Sequence, residues 1–247
     1  MRSNTMVPDS FLAQKMLLCA GEHAPEFLKA LDAEGFIATE EHDYRCYRFW
    51  RFPGFGAIWT GIGSGCIEPL IWEILQAGTP IKSIVLVGTA GLIGNNPELC
   101  GKVYAVSRAH ACATGVSPDE GPLKPRWQRL PRRIPRRSSL STDQYYGLHK
   151  TTQPIGLKIQ QRDSRLRQAI ARHWRSGRLL EMEVAQFYFL CEQVGSEELQ
   201  FLALKGVSNL DGRHNTQVVL SQQILRDSVQ TALNLLKVQT PDATTLN

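Results

Sequence analysis

Two short segments in the last third of the chain carry polar side chains whose types and spacing suit chemistry on a small substrate. Glu181 and Glu183 open an apolar helical pattern, and a short apolar strand ends at Ser208 and Asn209 about twenty-five residues later. Splitting an N-glycosidic bond leaves positive charge on the sugar and negative charge on the departing base. A carboxylate that holds sugar hydroxyls and a hydrogen-bond donor that faces the base would stabilise both charges. Glu183 and Asn209 could supply these two groups.

A carboxylate at a helix start also has a simpler interpretation. Acidic side chains there complement the positive end of the helix dipole, so Glu183 standing alone would need no further role. The functional interpretation therefore depends on whether other motifs point to the same chemistry.

Two glycine turns support that chemistry. The first, TGIGSG at 60–65, lies between a predicted strand and a predicted helix that runs through Glu68 to Ala77. Bare backbone N–H groups in such a turn can hold an anion or a sugar, whereas the GxGxG spacing argues against a dinucleotide-binding turn. The second, GTAGL at 88–92, follows residues 81–87, a continuous apolar strand of the kind that is buried on both faces.

Together these motifs resemble the nucleoside phosphorylase and nucleosidase superfamily, whose members cleave the bond between a purine or pyrimidine base and ribose. The resemblance extends over residues 15–238, with five motifs in the order and approximate spacing of the family. They are the turns 60–65 and 88–92, the segment STDQY at 141–145, the Met182-Glu183 pair and the Ser208-Asn209 pair.

The resemblance implies a role for each motif. Met182 and Glu183 would hold the ribose, while Ser208 and Asn209 would contact the base. Tyr145 falls where the family has an aromatic ring that stacks on the base. The two glycine turns would line the cavity for ribose and nucleophile with Gly61, Gly63, Thr89, Ala90 and Gly91.

The nucleophile distinguishes the two branches of the family. By resemblance, nucleosidases carry a Glu after the first strand that positions the attacking water, and hexameric phosphorylases carry an Arg there for phosphate. This chain has Glu22 and Glu26 but no Arg between Gly21 and Lys29. Phosphorylases also place an Arg where this chain has Leu86, and phosphate without a cationic partner would be poorly compensated. We expect hydrolysis, with phosphorolysis as the alternative. Either Glu22 or Glu26 would be the catalytic carboxylate that positions the water, and each could also be an ordinary helix-start carboxylate.

Asn209 stands where nucleosidases usually have Asp. An Asp can be protonated and pass its proton to a departing adenine, whereas an amide offers a fixed donor and a fixed acceptor. By resemblance, futalosine hydrolases and trimeric purine phosphorylases, which act on 6-oxopurine nucleosides, use Asn there. The expected activity is a purine nucleosidase for a 6-oxopurine nucleoside, with futalosine as a candidate substrate. A degenerate member of the fold that binds nucleosides or nucleic acid without cleavage is the alternative.

The implied fold is α/β, a three-layer α/β/α sandwich around a mixed twisted central sheet, in a single domain at 15–238. Residues 1–14 and 239–247 are expected to be a flexible N-terminal arm and a flexible tail. The hydrophobic patterns predict a strand at 15–20, a β-hairpin over 44–60, a strand at 103–107 followed by a loop with Arg108 and His110, and a closing helix over 221–238.

Residues 124–137, KPRWQRLPRRIPRR, hold seven cations and three prolines without an acid. The prolines exclude one regular helix, so we expect a solvated loop, a lid or a subunit contact. Only Trp127 could stack on a base, and a nucleic-acid partner is therefore unlikely on sequence grounds.

The rest of the composition narrows the class of protein. The six cysteines have no CxxC spacing, which favours reduced thiols over disulfides or zinc, and no cofactor or metal is expected. The net charge is only +5, and there is no apolar run of about twenty residues, so we expect no membrane partner and a cytoplasmic protein. The resemblance implies a homo-oligomer, with a dimer favoured.

Overall fold

The computed structural model describes residues 7–21, 24–93, 96–112, 114–143, 178–210 and 218–238. This part of the chain contains nine strands in one mixed sheet and four α-helices, which confirms the α/β class. The strands are β1 Lys15–Ala20, β2 Glu40–Tyr44, β3 Tyr47–Phe52, β4 Phe55–Thr60, β5 Ser83–Leu92, β6 Val103–Ala111, β7 Arg136–Ser141, β8 Leu179–Glu181 and β9 Gln200–Leu210. The helices are α1 Ala24–Ala33, α2 Ser64–Leu75, α3 Val184–Val194 and α4 Val218–Leu236.

The sheet has the order β2-β3-β4-β1-β5-β8-β7-β6-β9, and β9 also pairs with β5. Strands β5, β8, β7, β6 and β9 therefore close on themselves, while β2, β3, β4 and β1 extend from β5 as an open sheet. Because β4, β1, β5 and β9 are parallel neighbours, their carboxyl ends lie at the same edge. Ligands of α/β proteins bind at such an edge.

Helices pack on both faces of the sheet because successive strand side chains point to opposite sides. On β1, Leu18 joins one core cluster with α2 and α3, and Leu17 joins a second with α1 and α4. The packing of α4 is close, since a Cβ on Gly206 of β9 would lie only 1.7 Å from Ile224 Cγ2.

Several predicted loops are strands. Residues 88–92 continue β5, and both Arg108 and His110 lie in β6 rather than in a loop after it. The predicted hairpin over 44–60 is present as β3 and β4, with β2 as an added edge strand. Small and polar residues do not end β5 and β6 because neighbouring strands on each side take up their backbone hydrogen bonds.

Residues 7–14, which were expected to belong to a flexible arm, pack against the core. Val7, Phe11, Leu12 and Ala13 are buried in the core, and Arg51 donates to the Leu12 carbonyl at 2.9 Å. The apolar side chains anchor this segment because their burial stabilises the fold. Residues 1–6 and 239–247 lie outside the described part.

None of the described helices combines the length and the apolar composition that a membrane span requires. All six cysteines are free thiols, as the absence of paired spacing predicts.

Candidate active site

A buried ion pair lies beside the carboxyl end of β1, between the middle of β5 and the middle of β9. The Lys205 ammonium on β9 is 2.8 Å from Glu183 Oε2, and the two side chains are 1% and 5% exposed. Glu183 Oε1 accepts a hydrogen bond from the Gly63 amide at 3.1 Å. Each carboxylate oxygen thus has a protein donor, and a carboxylate retains further lone pairs for a ligand.

Two glycines let the backbone approach this pair. A Cβ on Gly21, directly after β1, would lie 3.8 Å from Glu183 Oε1, and Gly21 has a positive φ of 84°. A Cβ on Gly88 of β5 would lie 2.9 Å from the Ala20 carbonyl oxygen and 3.0 Å from Lys205 Nζ. The end of β1 and the middle of β5 and β9 therefore surround the ion pair, and a side chain at position 88 would force Lys205 or the Ala20 carbonyl to shift.

Glu181 has a structural role that differs from that of Glu183. Its Oε2 accepts from the backbone amides of Glu183 at 2.8 Å and Val184 at 2.7 Å, which satisfies the start of α3. Ser141 donates to Glu181 Oε1 and accepts from the Ala185 amide at 2.9 Å. Burial raises the pKa of Glu181, with Lys205 opposing that shift. The two carboxylates thus act on different groups, and Glu181 orients the backbone that carries Glu183.

In the glycine turn at 61–64, the amides of Gly61, Gly63 and Ser64 all donate to acceptors of the protein itself. The Gly63 amide donates to Glu183, and the Gly61 amide donates to the Cys46 carbonyl at 3.0 Å. The Ser64 amide donates to Asp143 Oδ1 at 2.8 Å, and its hydroxyl also donates to Asp143. This corrects the expectation that Gly61 and Gly63 hold a ligand through free N–H groups. The turn instead positions Glu183 and is itself held by Asp143.

Met182 and Ala90 lie at the same edge as Glu183. Met182 is half-buried, and its Cε is 4.0 Å from the position of a Cβ on Gly63. Ala90 is buried, and Thr89 is half-buried on β5 opposite Gly206 of β9. Met182 therefore borders the glycine turn, while Thr89 and Ala90 follow Gly88, the residue of β5 that lies opposite Lys205.

The Ser208-Asn209 pair lies on β9 where its register with β5 shifts. Ala90 pairs with Val207 and Gly91 with Asn209, so Ser208 is the extra residue of a bulge. Asn209 is 7% exposed, its Nδ2 donates to Ser208 Oγ at 3.1 Å, and its Oδ1 is buried without a partner among the described residues. Bulges often turn a side chain toward a site, and a buried unpaired acceptor is costly unless a ligand satisfies it.

Only one of the two candidate acids lies in the described residues. Glu26 is in the first turn of α1 and forms an ion pair with Lys29 at 3.0 Å, so its carboxylate already has a partner. A catalytic role for either acid stays a prediction. Glu22 and Tyr145 lie outside the described residues. Leu86 is completely buried in the core, so its position offers no group to a ligand.

Sequence reasoning missed Lys205 and the partner role of Asp143. Lys205 is the one charged residue in the apolar strand QFLALKGVSNL, and a lone charge in a buried strand is unusual unless it is paired. That signal could have identified it. Among the described residues no cluster of His, Cys, Asp and Glu could hold a metal ion.

Comparisons of the sequence with protein-family models and with curated proteins give no match. Solved structures are similar in fold. Uridine phosphorylase from Vibrio fischeri ES114 has 17% identity and a TM-score of 0.70, with 94% of this chain and 95% of that chain covered.

Two hydrolases are also similar. For futalosine hydrolase of Helicobacter pylori the identity is 15%, the TM-score is 0.60, and the coverage is 91% of this chain and 96% of that chain. For the methylthioadenosine/S-adenosylhomocysteine nucleosidase of Colwellia psychrerythraea the identity is 18% and the TM-score is 0.62. The coverage is 92% of this chain and 96% of that chain. The structural neighbours thus include both nucleosidases and phosphorylases.

Proposed function

From the premise that this chain has the fold of the nucleoside phosphorylase and nucleosidase superfamily, we propose that it hydrolyses the N-glycosidic bond of a purine nucleoside. The observation that carries the proposal is the buried Glu183–Lys205 pair, which lies beside the carboxyl end of β1. A buried ion pair is a poor source of stability, so its position points to a functional role.

Glu183 is the ribose-binding acid in this proposal. Lys205 and the Gly63 amide hold its two oxygens in place, and the remaining lone pairs accept from ribose hydroxyls. As the bond from C1′ to the base nitrogen breaks, positive charge develops on the sugar ring. A fixed carboxylate beside the ring stabilises that charge without reorganising, and water then bonds to C1′ while the base leaves with a proton.

Water is preferred to phosphate as the nucleophile because the site lacks an uncompensated cation. The Lys205 charge is already neutralised by Glu183, and Leu86 contributes only to the core. The Ser64 amide at the start of α2, which could otherwise bind an anion, already donates to the Asp143 carboxylate. A phosphate dianion would thus meet two carboxylates and no spare cation among these groups.

Asn209 is the base-reading residue, and a 6-oxopurine fits it. A half-turn of its amide, with the Ser208 hydroxyl then donating, directs the NH2 group at the O6 acceptor of hypoxanthine or guanine. Futalosine is a candidate because a futalosine hydrolase has a similar fold. In this flipped orientation an adenine amino group would meet the amide NH2 and would pair less well.

A homodimer is the assembly that we favour. Ile62, in the glycine turn, and Trp72, on α2, are each 53% exposed, although both are large and apolar. Exposed apolar groups near a site often mark a protein contact. A second copy that covers them would lie close to Glu183.

The deciding experiment uses chromatography to measure the release of free base, with and without phosphate. The substrates are inosine, guanosine, adenosine, methylthioadenosine, S-adenosylhomocysteine and futalosine. We expect hypoxanthine to be released at the same rate with and without phosphate. Dependence on phosphate would establish the phosphorylase alternative. No release from any substrate would leave a nucleoside-binding protein that has lost catalysis.

A further inference from the structure

The basic segment 124–137 contains cations with different surroundings. Arg126 is used within the fold: it contacts Glu192 at 2.8 Å, donates to the Ser196 carbonyl at 2.8 Å and lies 5.5 Å from the Phe201 ring centroid. Arg126 therefore anchors the segment to α3 and β9. At the ends of the segment, Lys124 and Arg136 form no ion pair within the described part of the chain, and Arg137 contacts the Tyr104 ring, at 5.7 Å from its centroid.

Those end cations meet β6 in a pocket of about 520 Å³. Three parts of the chain form this pocket: β6, Lys124 and the first half of β7. The lining residues are Ser107, Arg108, Lys124, Arg136, Arg137 and Ser138.

A strand irregularity places two β6 residues in this pocket. Val106 pairs with Arg137 and Arg108 pairs with Ser138, so Ser107 is an extra residue between two regular pairs. Adjacent side chains of a regular strand point to opposite faces, and a bulge alters that direction. Ser107 and Arg108 consequently both line the pocket, and the Ser107 hydroxyl donates to the Arg137 carbonyl at 3.2 Å.

The pocket is strongly and uniformly positive. Its lining has four cations, two hydroxyl groups and no carboxylate, and none of the four cations forms an ion pair within the described part of the chain. Arg137 Nε is buried without a hydrogen-bond partner there. A buried charged donor without an acceptor is costly, and so are like charges in one pocket, unless an anion compensates them.

We propose that this pocket binds an anion with two or more adjacent phosphate groups, such as tripolyphosphate or the phosphate chain of a nucleoside triphosphate. Arginine forks match phosphate oxygens in pairs, and serine hydroxyls add neutral donors. Each phosphate group carries about one to two negative charges, so four cations suit a chain of two or three groups.

A small anion fits these residues better than a nucleic acid does. The six lining side chains include no aromatic ring, whereas binding of single strands relies on base stacking over aromatic groups. Four of the cations line this one pocket. Arg129, Arg132 and Arg133, which are exposed, lie outside the lining.

The pocket is separate from the site around Glu183. β7 runs from Ser138 at the pocket to Ser141, which binds Glu181, and three residues of strand span about 10 Å. The inference concerns binding alone and does not depend on the proposed nucleosidase activity.

Isothermal titration of the full chain with tripolyphosphate, at about 0.15 M salt so that long-range attraction is screened, tests the proposal. We expect saturable 1:1 binding that is stronger than binding of inorganic phosphate. Arg136→Ala and Arg108→Ala should each weaken it by about tenfold or more, since a charge-assisted hydrogen bond contributes that much. Both side chains are exposed and unpaired, so the melting temperatures should not change.

Arg132→Ala is the matched control because it removes the same charge from the same segment outside the pocket. It should change the affinity by roughly twofold or less, as exposed charges act weakly at this salt. Equal weakening by Arg132→Ala and Arg136→Ala would overturn the proposal, and so would no saturable binding. Tighter binding of a single-stranded RNA, with equal loss in both variants, would instead establish a nucleic-acid surface. Binding of nucleoside triphosphate and tripolyphosphate alike supports recognition of the phosphate chain.

Discussion

Glu183 Oε2 and Lys205 Nζ lie 2.8 Å apart, and almost no part of either side chain reaches solvent. One residue precedes α3 and the other lies in β9, so the pair joins two elements at the carboxyl edge of the sheet. Breaking a buried pair by removal of one partner is far more destabilising than removal of both. This asymmetry makes the pair accessible to experiment.

Lys205→Met should lower the free energy of unfolding by about 3–5 kcal/mol, because it leaves the Glu183 charge buried without its partner. The double variant Lys205→Met/Glu183→Gln should recover a large part of that loss, since neither charge remains. Urea denaturation of the two variants measures both effects. Lys29→Met, which removes the exposed partner of Glu26, is the control and should have little effect.

Glu183→Gln should lower kcat by about 10²-fold or more while the fold survives, because an amide cannot stabilise positive charge on the sugar as a carboxylate does. Steady-state base release gives kcat, and circular dichroism checks the fold. Glu26→Gln should leave turnover unchanged, since Glu26 pairs with Lys29 at the surface. Unchanged turnover in Glu183→Gln would refute its ribose role.

Asn209→Asp should shift preference from hypoxanthine toward adenine nucleosides. The new carboxyl group can be protonated and donate to adenine N7, whereas it loses the amide donor for O6. The ratio of kcat/KM for inosine to that for adenosine measures the shift. An unaltered ratio would mean that this buried side chain does not contact the base.

Trp72→Glu should convert the expected dimer into monomers. A charge in a buried contact costs several kcal/mol, whereas the same charge on an exposed surface costs little. Light scattering during gel filtration measures the mass. Ile37→Glu is the control, because Ile37 is 65% exposed but follows α1 on the opposite face of the sheet from α2. A monomeric wild type would contradict the expectation directly.

The pKa of His110 should lie below its usual value of about 6.5. Burial lowers it most, and the neighbouring Arg178 and Arg108 lower it further. A depressed pKa means that the stabilising contribution of neutral His110 is complete above pH 6.5 and is lost as pH falls through the folded-state pKa. NMR titration should show this low pKa and a rise toward 6.5 in Arg108→Gln. Arg132→Gln should leave it unchanged, and an equal rise there would contradict the local explanation.

The motifs themselves were readable in the sequence because they are local. Apolar runs identify β1, β5 and β9, amphipathic patterns identify α1 and α4, and glycines at 61, 63 and 65 identify the turn before α2. A helix start after Glu183 and a strand end at Asn209 also follow from short-range patterns. These features depend on hydrogen bonds and side-chain periodicity within a few residues.

The length of β5 was not readable in the same way. GTAGL looks like a turn because glycine and threonine follow an apolar run, yet it is strand because β8 and β9 supply hydrogen bonds to it. The N-terminal segment looks polar in the sequence, but Phe11 and Leu12 are buried and pack against β3. In both cases the partners are distant in sequence, so local propensity could not decide the outcome.

The sequence by itself thus determined which groups are available for chemistry: the acids, the Asn209 amide, the glycines and a basic segment that contains no acid. Only the tertiary structure decided how they are used. It separates Glu181, which caps a helix, from Glu183, which faces Lys205, and it places Glu26 at the surface. The physical reason is that a side chain's protonation and partners depend on burial and on strands brought together across the chain, which spacing along the chain does not encode.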